Sequence, residues 1–162
     1  MKFCKVRDVK SPVRGTGKAA GIDFFVPNFG NILTVPPHCD VLIPSGIKAK
    51  IPEGYMLIGA DKSGVVTSRF ACVGAGREPK QEAFMGAAII GAKVIDEDYQ
   101  GEIHIHLINT SNFPIYIKPG MKIAQFILVP VNYEGLEEVP ESELFDEVSE
   151  RGDGALGSTG SY

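Results

Sequence analysis

Three carboxylates surround one aromatic ring in Val94-Ile95-Asp96-Glu97-Asp98-Tyr99-Gln100-Gly101-Glu102. At the tip of a hairpin, such a cluster either stays solvated or turns one acid inward as a general base. Glu97 and Asp98 fit the solvated role. Asp96 follows the apolar pair Val94-Ile95 and is the acid expected to point inward, with Tyr99 placed to cover a sugar or a base. A second island, Asp61-Lys62-Ser63-Gly64, lies where a strand gives way to a helical turn. As a surface turn it is ordinary; as a site it sets Ser63 and the following N–H groups against a phosphate. In Ala20-Gly21-Ile22-Asp23-Phe24-Phe25, Asp23 is either a turn residue or a carboxylate near a metal. Gln125 is the single polar side chain in the apolar run 123–131, and a buried amide needs either backbone partners or a ligand.

The last twelve residues, Arg151 to Tyr162, carry glycines, hydroxyls and one arginine, with only Leu156 and Tyr162 to bury. Such a segment cannot offset its ordering entropy alone, so a mobile tail is expected. Its chemistry suits an anion: glycine N–H groups, Ser158, Thr159 and the Arg151 fork are all donors. His104 and His106 form an H-x-H pair on one strand face, which can hold a metal. With no third histidine nearby and His38 remote, solvent-facing or intersubunit histidines are the expectation.

Short β-rich runs separated by glycine and proline every 8–12 residues must position these groups. Glu102-Ile103-His104-Ile105-His106-Leu107 alternates strictly, so its isoleucines and leucine share one face and both histidines the other. Ile47 to Ile51 alternates likewise, Tyr55 to Ala60 reads as a strand, and 113–118 and 123–131 follow after turns. Many short strands with regular turns indicate an all-β sandwich or barrel. Within the barrel, a single helical turn is predicted to begin at Ser63. Residues 71–91, rich in Gly and Ala, read as an extended hairpin or lid loop. The domain expected is a β-barrel over 1–133, followed by an acidic linker over 134–150 and a C-terminal arm over 151–162. A transient helical turn is expected around Glu143 to Val148.

At 162 residues the chain fits one domain with a proper core. No apolar run reaches the length of a membrane span. The start, Met1 to Arg7, carries no apolar leader, and a cytoplasmic protein is expected. Cys4, Cys39 and Cys72 lack metal-ligand spacing and read as reduced structural thiols. The net charge of −4 hides an asymmetry: residues 134–150 hold eight acids and no base, whereas residues 1–133 are net +4. A mildly positive body suits a small anionic ligand and is too weak for sequence-independent nucleic-acid binding.

Taken together, these islands resemble the five ordered motifs of the trimeric deoxyuridine triphosphate nucleotidohydrolases (dUTPases), in the branch of bacteriophages and bacteria. Ala20-Gly21-Ile22-Asp23 is similar to the first motif, Lys62-Ser63-Gly64 to the second and Val94 to Glu102 to the third. Pro119-Gly120-Met121-Lys122-Ile123-Ala124-Gln125 is similar to the fourth, and Arg151 to Gly160 to the fifth. The resemblance spans residues 18–160. It implies a jelly-roll β-barrel and a homotrimer whose three sites are each built from all three chains, the arm of one subunit closing over a neighbour's site. The implied reaction is hydrolysis of dUTP to dUMP and pyrophosphate, with Mg²⁺ chelated by the triphosphate. Asp96 would activate water for in-line attack on the α-phosphorus. Tyr99 would lie under the deoxyribose, and the hairpin backbone, Ile95 included, would read uracil. Lys62, Ser63, Gly64 and Gln125 would hold phosphate oxygens, and Asp23 would reach the metal through water. Arg151, Gly157, Ser158 and Thr159 would clamp the γ-phosphate. Three departures stand out. Lys62 replaces the usual arginine, Leu156 replaces a phenylalanine that covers the base, and Lys93 replaces a common glycine. Residues 71–91 exceed the family's usual link and offer a surface for a protein partner. Two alternatives share the scaffold: a regulatory nucleotide-sensing module and a dCTP deaminase.

Overall fold

The computed structural model describes residues 1–67, 70–72, 84–150 and 152. Seven strands come first: β1 (Lys2–Lys5), β2 (Val13–Arg14), β3 (Gly21–Phe25), β4 (Leu33–Val35), β5 (Asp40–Pro44), β6 (Ile47–Lys50) and β7 (Tyr55–Asp61). A four-residue helix, α1 (Ser63–Val66), follows. Seven more strands follow among the described residues: β8 (Phe70–Cys72), β9 (Phe84–Gly86), β10 (Ala88–Ile90), β11 (Val94–Ile95), β12 (His104–Asn109), β13 (Ile115–Ile117) and β14 (Lys122–Pro130). The all-β expectation holds, and so does the helical turn at Ser63.

The largest sheet has the order β11-β7-β14-β3-β2, and a three-stranded sheet has the order β10-β12-β5. Every pairing among the described residues is antiparallel. The period-two pattern decides what goes inside. On β12, Ile105 and Leu107 are fully buried while His104 and His106 are half-buried on the other face. The core gathers Phe24, Phe126, Leu57, Ile43, Ile90, Ile115 and Ile117, with the Phe24 and Phe126 ring centroids 4.5 Å apart. Each such side chain contributes about 1.5–3 kcal/mol by leaving water. Asn109 also points inward, and its amide is fully used: Nδ2 donates to the carbonyls of Val35, Pro36 and Phe113, and Oδ1 accepts from Ser111. A buried amide is tolerated on those terms.

The stretch 71–91 differs from the loop expected. β8 and β9 pair as a hairpin stem, while 73–83 lie outside the described residues. The stretch then re-enters the core, because Ala88 and Ile90 are buried and β10 pairs with β12. Ala87 belongs to this anchored part, its carbonyl accepting from Thr110. Cys4 and Cys39 are free thiols but exposed, so they are not core thiols as their description as structural implies.

Two compact units divide the chain, Met1–Asn132 and Tyr133–Tyr162. In the second, nearly every described residue is exposed, including Leu136, Phe145 and Val148. Its helical turn is 3₁₀ and lies at Glu141–Glu143, meeting the predicted segment only at Glu143. Among the described residues no helix is long and apolar enough to cross a membrane.

Candidate active site

The two groups of candidate residues sit at opposite ends of one strand. At the C-terminal end of β7, four polar side chains share a face of the large sheet. Register explains three of them: on β14, Gln125 pairs with Asp23 on one side and with Ala60 on the other, and Lys62 lies two residues beyond Ala60. Lys122 reaches the same face through a bulge. Between Lys122 and Ala124 the pairing with β3 slips by one residue, so Ile123 is extra. In a regular strand Lys122 and Gln125 would point to opposite faces; the bulge turns both toward Asp23. The turn Lys118-Pro119-Gly120-Met121 launches β14 in that direction. Gly120 takes a positive φ of 79° there, as position three of a type II turn requires.

Asp23 is 7% exposed and bonds two ammonium groups, Lys62 Nζ at 2.5 Å and Lys122 Nζ at 3.0 Å. Burial penalises its charge, but the two lysine hydrogen bonds outweigh that and hold the carboxyl below the usual carboxylate range. Two cations facing one anion leave the cluster net positive. Gln125 Nε2 donates to the Asp61 carbonyl, and its Oε1 lies over Gly21, where any Cβ would come within 2.0 Å. Lys62 caps α1 with an extended backbone, its carbonyl accepting from Val65 and Val66. Ser63 is exposed and Gly64 half-buried on that single turn. Arg14 steadies the entry to β3 by donating to the carbonyls of Ala19 and Ala20.

At the N-terminal end of β7 stands the hairpin. β11 pairs Ile95 with Leu57, so Asp96 emerges beside Met56, and the Tyr99 N–H closes a turn onto the Asp96 carbonyl. Here the structure corrects the sequence. Asp96 is exposed, whereas Glu97 turns inward and accepts from the Gly54 N–H at 2.7 Å. The reason is alternation past the strand end: successive side chains swap faces, and the Pro52-Glu53-Gly54 turn offers a donor on the Glu97 side. Tyr99 donates its hydroxyl to the Glu102 carbonyl at 2.9 Å and lies over Gly101, where a Cβ would come within 2.3 Å of Oη. The ring remains 42% exposed, free to meet a ligand. Below it, Arg7 grips Glu102 through Nε and Nη2 at 2.7 and 3.0 Å, and the Gly46 N–H adds a third bond. The Arg7 hydrogen bond holds the Glu102 carboxyl below the usual range, burial opposing it. A cleft of about 570 Å³ lies between the hairpin and the stretch 49–53, lined by Lys50, Glu53, Glu97, Asp98 and Tyr99.

From Met56 to Lys62 is six residues, roughly 20 Å of strand at about 3.3 Å per residue. Within one chain, therefore, the hairpin acid and the cationic cluster do not converge. Arg151, Leu156, Gly157, Ser158 and Thr159 lie outside the described residues. Among the described residues no three His, Cys, Asp or Glu side chains group closely enough to hold a metal ion. His106 bonds Asp40, and His104 bonds the Glu102 carbonyl. Lys122 was missed as a site residue because nothing in the sequence marks a bulge. Glu97 was missed because its donor comes from a turn more than 40 positions away.

The chain is similar to known proteins of one family. The family model described as dUTPase matches residues 61–160. The deoxyuridine 5'-triphosphate nucleotidohydrolase of Dictyoglomus turgidum is 36% identical over 143 residues, covering 86% of this chain and 78% of that protein. That of Mus musculus is 33% identical over 161 residues, covering 99% and 85%. Among solved structures, the Staphylococcus bacteriophage 80alpha dUTPase with dUPNHPP superposes with a TM-score of 0.76 at 22% identity, over 98% of this chain and 97% of that one. A variant of the phage phi11 dUTPase of S. aureus, described with a structural Mg(II) ion, gives a TM-score of 0.67 at 20% identity, over 86% and 96%. At those identities the likeness establishes the fold, the jelly-roll-like β-barrel expected.

Proposed function

The chain belongs to the dUTPase family, the deoxyuridine 5'-triphosphate nucleotidohydrolases, and from that premise we propose how its residues hydrolyse dUTP to dUMP and pyrophosphate. Asp96 is the base: it accepts the proton of a water aligned with the α-phosphorus, and the leaving oxygen departs with pyrophosphate. Most of the rate then comes from holding water and phosphorus in line and from cations aimed at the developing charge. The net-positive cluster supplies those cations. Lys62, Ser63 and the N–H groups of Gly64 onward take phosphate oxygens, and the Gln125 amide offers its remaining N–H. Tyr99, anchored through its hydroxyl, presents its ring to the deoxyribose and leaves no room for a 2′-hydroxyl. The hairpin backbone around Ile95 pairs with uracil. Arg151, Gly157, Ser158 and Thr159 of the arm clamp the γ-phosphate, and Leu156 covers the base.

The residues fit a Mg²⁺ carried in on the triphosphate. Mg²⁺ keeps much of its water shell and is commonly held by phosphates and one or two carboxylates. Asp23, kept anionic by its lysines, suits the role of acceptor for a metal-bound water. When bound, the ion would neutralise phosphate charge.

The observation that carries the assembly is the separation of about 20 Å along β7. A hairpin and a cationic cluster that cannot meet within a chain can meet between chains, and three copies around an axis make three equivalent sites. The test is subunit mixing. Asp96→Asn and Lys62→Met chains, each inactive alone, are unfolded together and refolded. Shared sites restore pyrophosphate release, because the hairpin of one variant meets the intact cluster of the other. A mixture as inactive as its parts would sink the shared site. The insert is assigned to partner binding, outside the chemistry. Because Ala87 is anchored to Thr110, deletion of 74–82 is the appropriate cut, and turnover should survive it.

A further inference from the structure

Between β10 and β11 the chain leaves one sheet for the other within Gly91-Ala92-Lys93. Four hydrogen bonds hold this crossing. Ile90 N donates to Asp61 Oδ1 at 2.6 Å and Gly91 N to the His106 carbonyl at 2.9 Å. Ala92 N donates to His106 Nδ1 at 3.0 Å, and Gly59 N to the Lys93 carbonyl at 2.6 Å. The Ala92 bond fixes the state of the ring. A backbone N–H only donates, so Nδ1 must present a lone pair. The ring proton is then on Nε2, which donates to Asp40 Oδ2 at 2.9 Å. Gly91 lies flat against the imidazole: a Cβ there would come within 2.3 Å of Nδ1.

We propose that His106 is a positioning residue for dUTP hydrolysis: its neutral Nδ1 sets the direction in which β11 leaves the crossing, and thereby where Asp96 stands. This rests on the assignment of Asp96 as the base. Only Val94 and Ile95 separate the crossing from Asp96, so a shift at Ala92 is delivered to the carboxylate with little strand to absorb it. A misplacement of about 1 Å costs on the order of 10²-fold in rate. A second ring proton would turn Nδ1 into a donor facing another donor, while strengthening the attraction to Asp40. The other groups facing the ring reinforce neither change. His104 lies two residues along β12, β5 presents Leu42 beside Asp40, β10 presents Ile89, and on the crossing Gly91 brings no side chain while Lys93 directs its ammonium toward Asp61 at 3.9 Å.

The experiment measures kcat and KM for dUTP with Mg²⁺ on the full chain at neutral pH. Wild type, His106→Ala and His106→Asn are compared, with Asp96→Asn as the control and thermal midpoints measured for all. Asparagine Oδ1 takes the place of Nδ1 and accepts without ever protonating. His106→Ala should lower kcat by about 10- to 100-fold with KM within about twofold. His106→Asn should recover most of kcat. Wild-type kcat in His106→Ala overturns the proposal. So does an asparagine variant that fails to rescue while both variants lose the same thermal stability. Persistent turnover in Asp96→Asn would overturn the assignment of the base and this proposal with it. Loss of turnover there, with His106→Ala unaffected, overturns this proposal alone.

Discussion

The two ends of β7 solve the same problem, holding polar groups where a ligand can use them, by different means. At the C-terminal end, side chains hold side chains: Lys62 and Lys122 both close on Asp23, with Gln125 beside them tied to the Asp61 carbonyl. At the N-terminal end, Asp96 stands exposed while its surroundings are held. Glu97 is tied to Gly54, Tyr99 to the Glu102 carbonyl, and Glu102 to Arg7. A cluster whose members satisfy one another gains stability from its charges. A lone acid on a braced turn contributes little to stability and remains available for a proton. The difference teaches where function and stability should separate under mutation.

The sharpest way to break the contrast is Asp96→Asn. Loss of a general base costs about 10²–10⁴-fold, so pyrophosphate release should fall by about 10³-fold with thermal stability unchanged. A drop in stability would mean that the hairpin end is structural after all. At the other end, Asp23→Asn should do the reverse in kind, destabilising by about 1–3 kcal/mol in urea unfolding, because two lysines lose a shared charged acceptor. The pH dependence has a definite sign. Asp23 is held below its ordinary range when folded, so between the two values the unfolded chain binds more protons and stability rises with pH. This contribution is full above about pH 4, the ordinary carboxylate range, and is lost as acid protonates the folded carboxyl. Unfolding midpoints measured from neutral pH down to about pH 3 should converge for wild type and Asp23→Asn. Parallel curves would remove Asp23 from the account.

Two glycines give a matched comparison of the ends. Gly21→Ala drives a Cβ into the Gln125 amide, and overpacking of this kind costs about 1–3 kcal/mol, so both stability and KM should suffer. Gly101→Ala displaces the Tyr99 hydroxyl, which should leave stability nearly intact while narrowing the ratio of kcat/KM for dUTP over UTP. Equal effects on both properties at both sites would erase the distinction. The smallest effect belongs to the arm. Leu156→Phe restores an aromatic stack of about 0.5–1.5 kcal/mol, a two- to twelvefold fall in KM, read in steady-state kinetics.

Much of this protein was legible in its residues. Alternation on 102–107 told which face carried the histidines, because side chains on a strand have a period of two wherever the strand ends up. The strand runs 47–51 and 55–60, the helical turn at Ser63 and the turn at Pro119-Gly120 were equally local matters of propensity and φ. The motif order identified the family. Other features depended on partners distant in sequence. Lys122 joined Asp23 only through a bulge, and Glu97 took the inward place expected of Asp96 because a donor arrived from residue 54. His106 gained its tautomer from a backbone N–H on a different strand crossing, and Ala88 and Ile90 passed from insert to core by pairing with β12. Composition and periodicity determine which side chains seek water and which do not. Register, bulges and the crossing between sheets decide which polar groups meet, since those depend on the packing of strands against one another and leave no periodic trace in the chain.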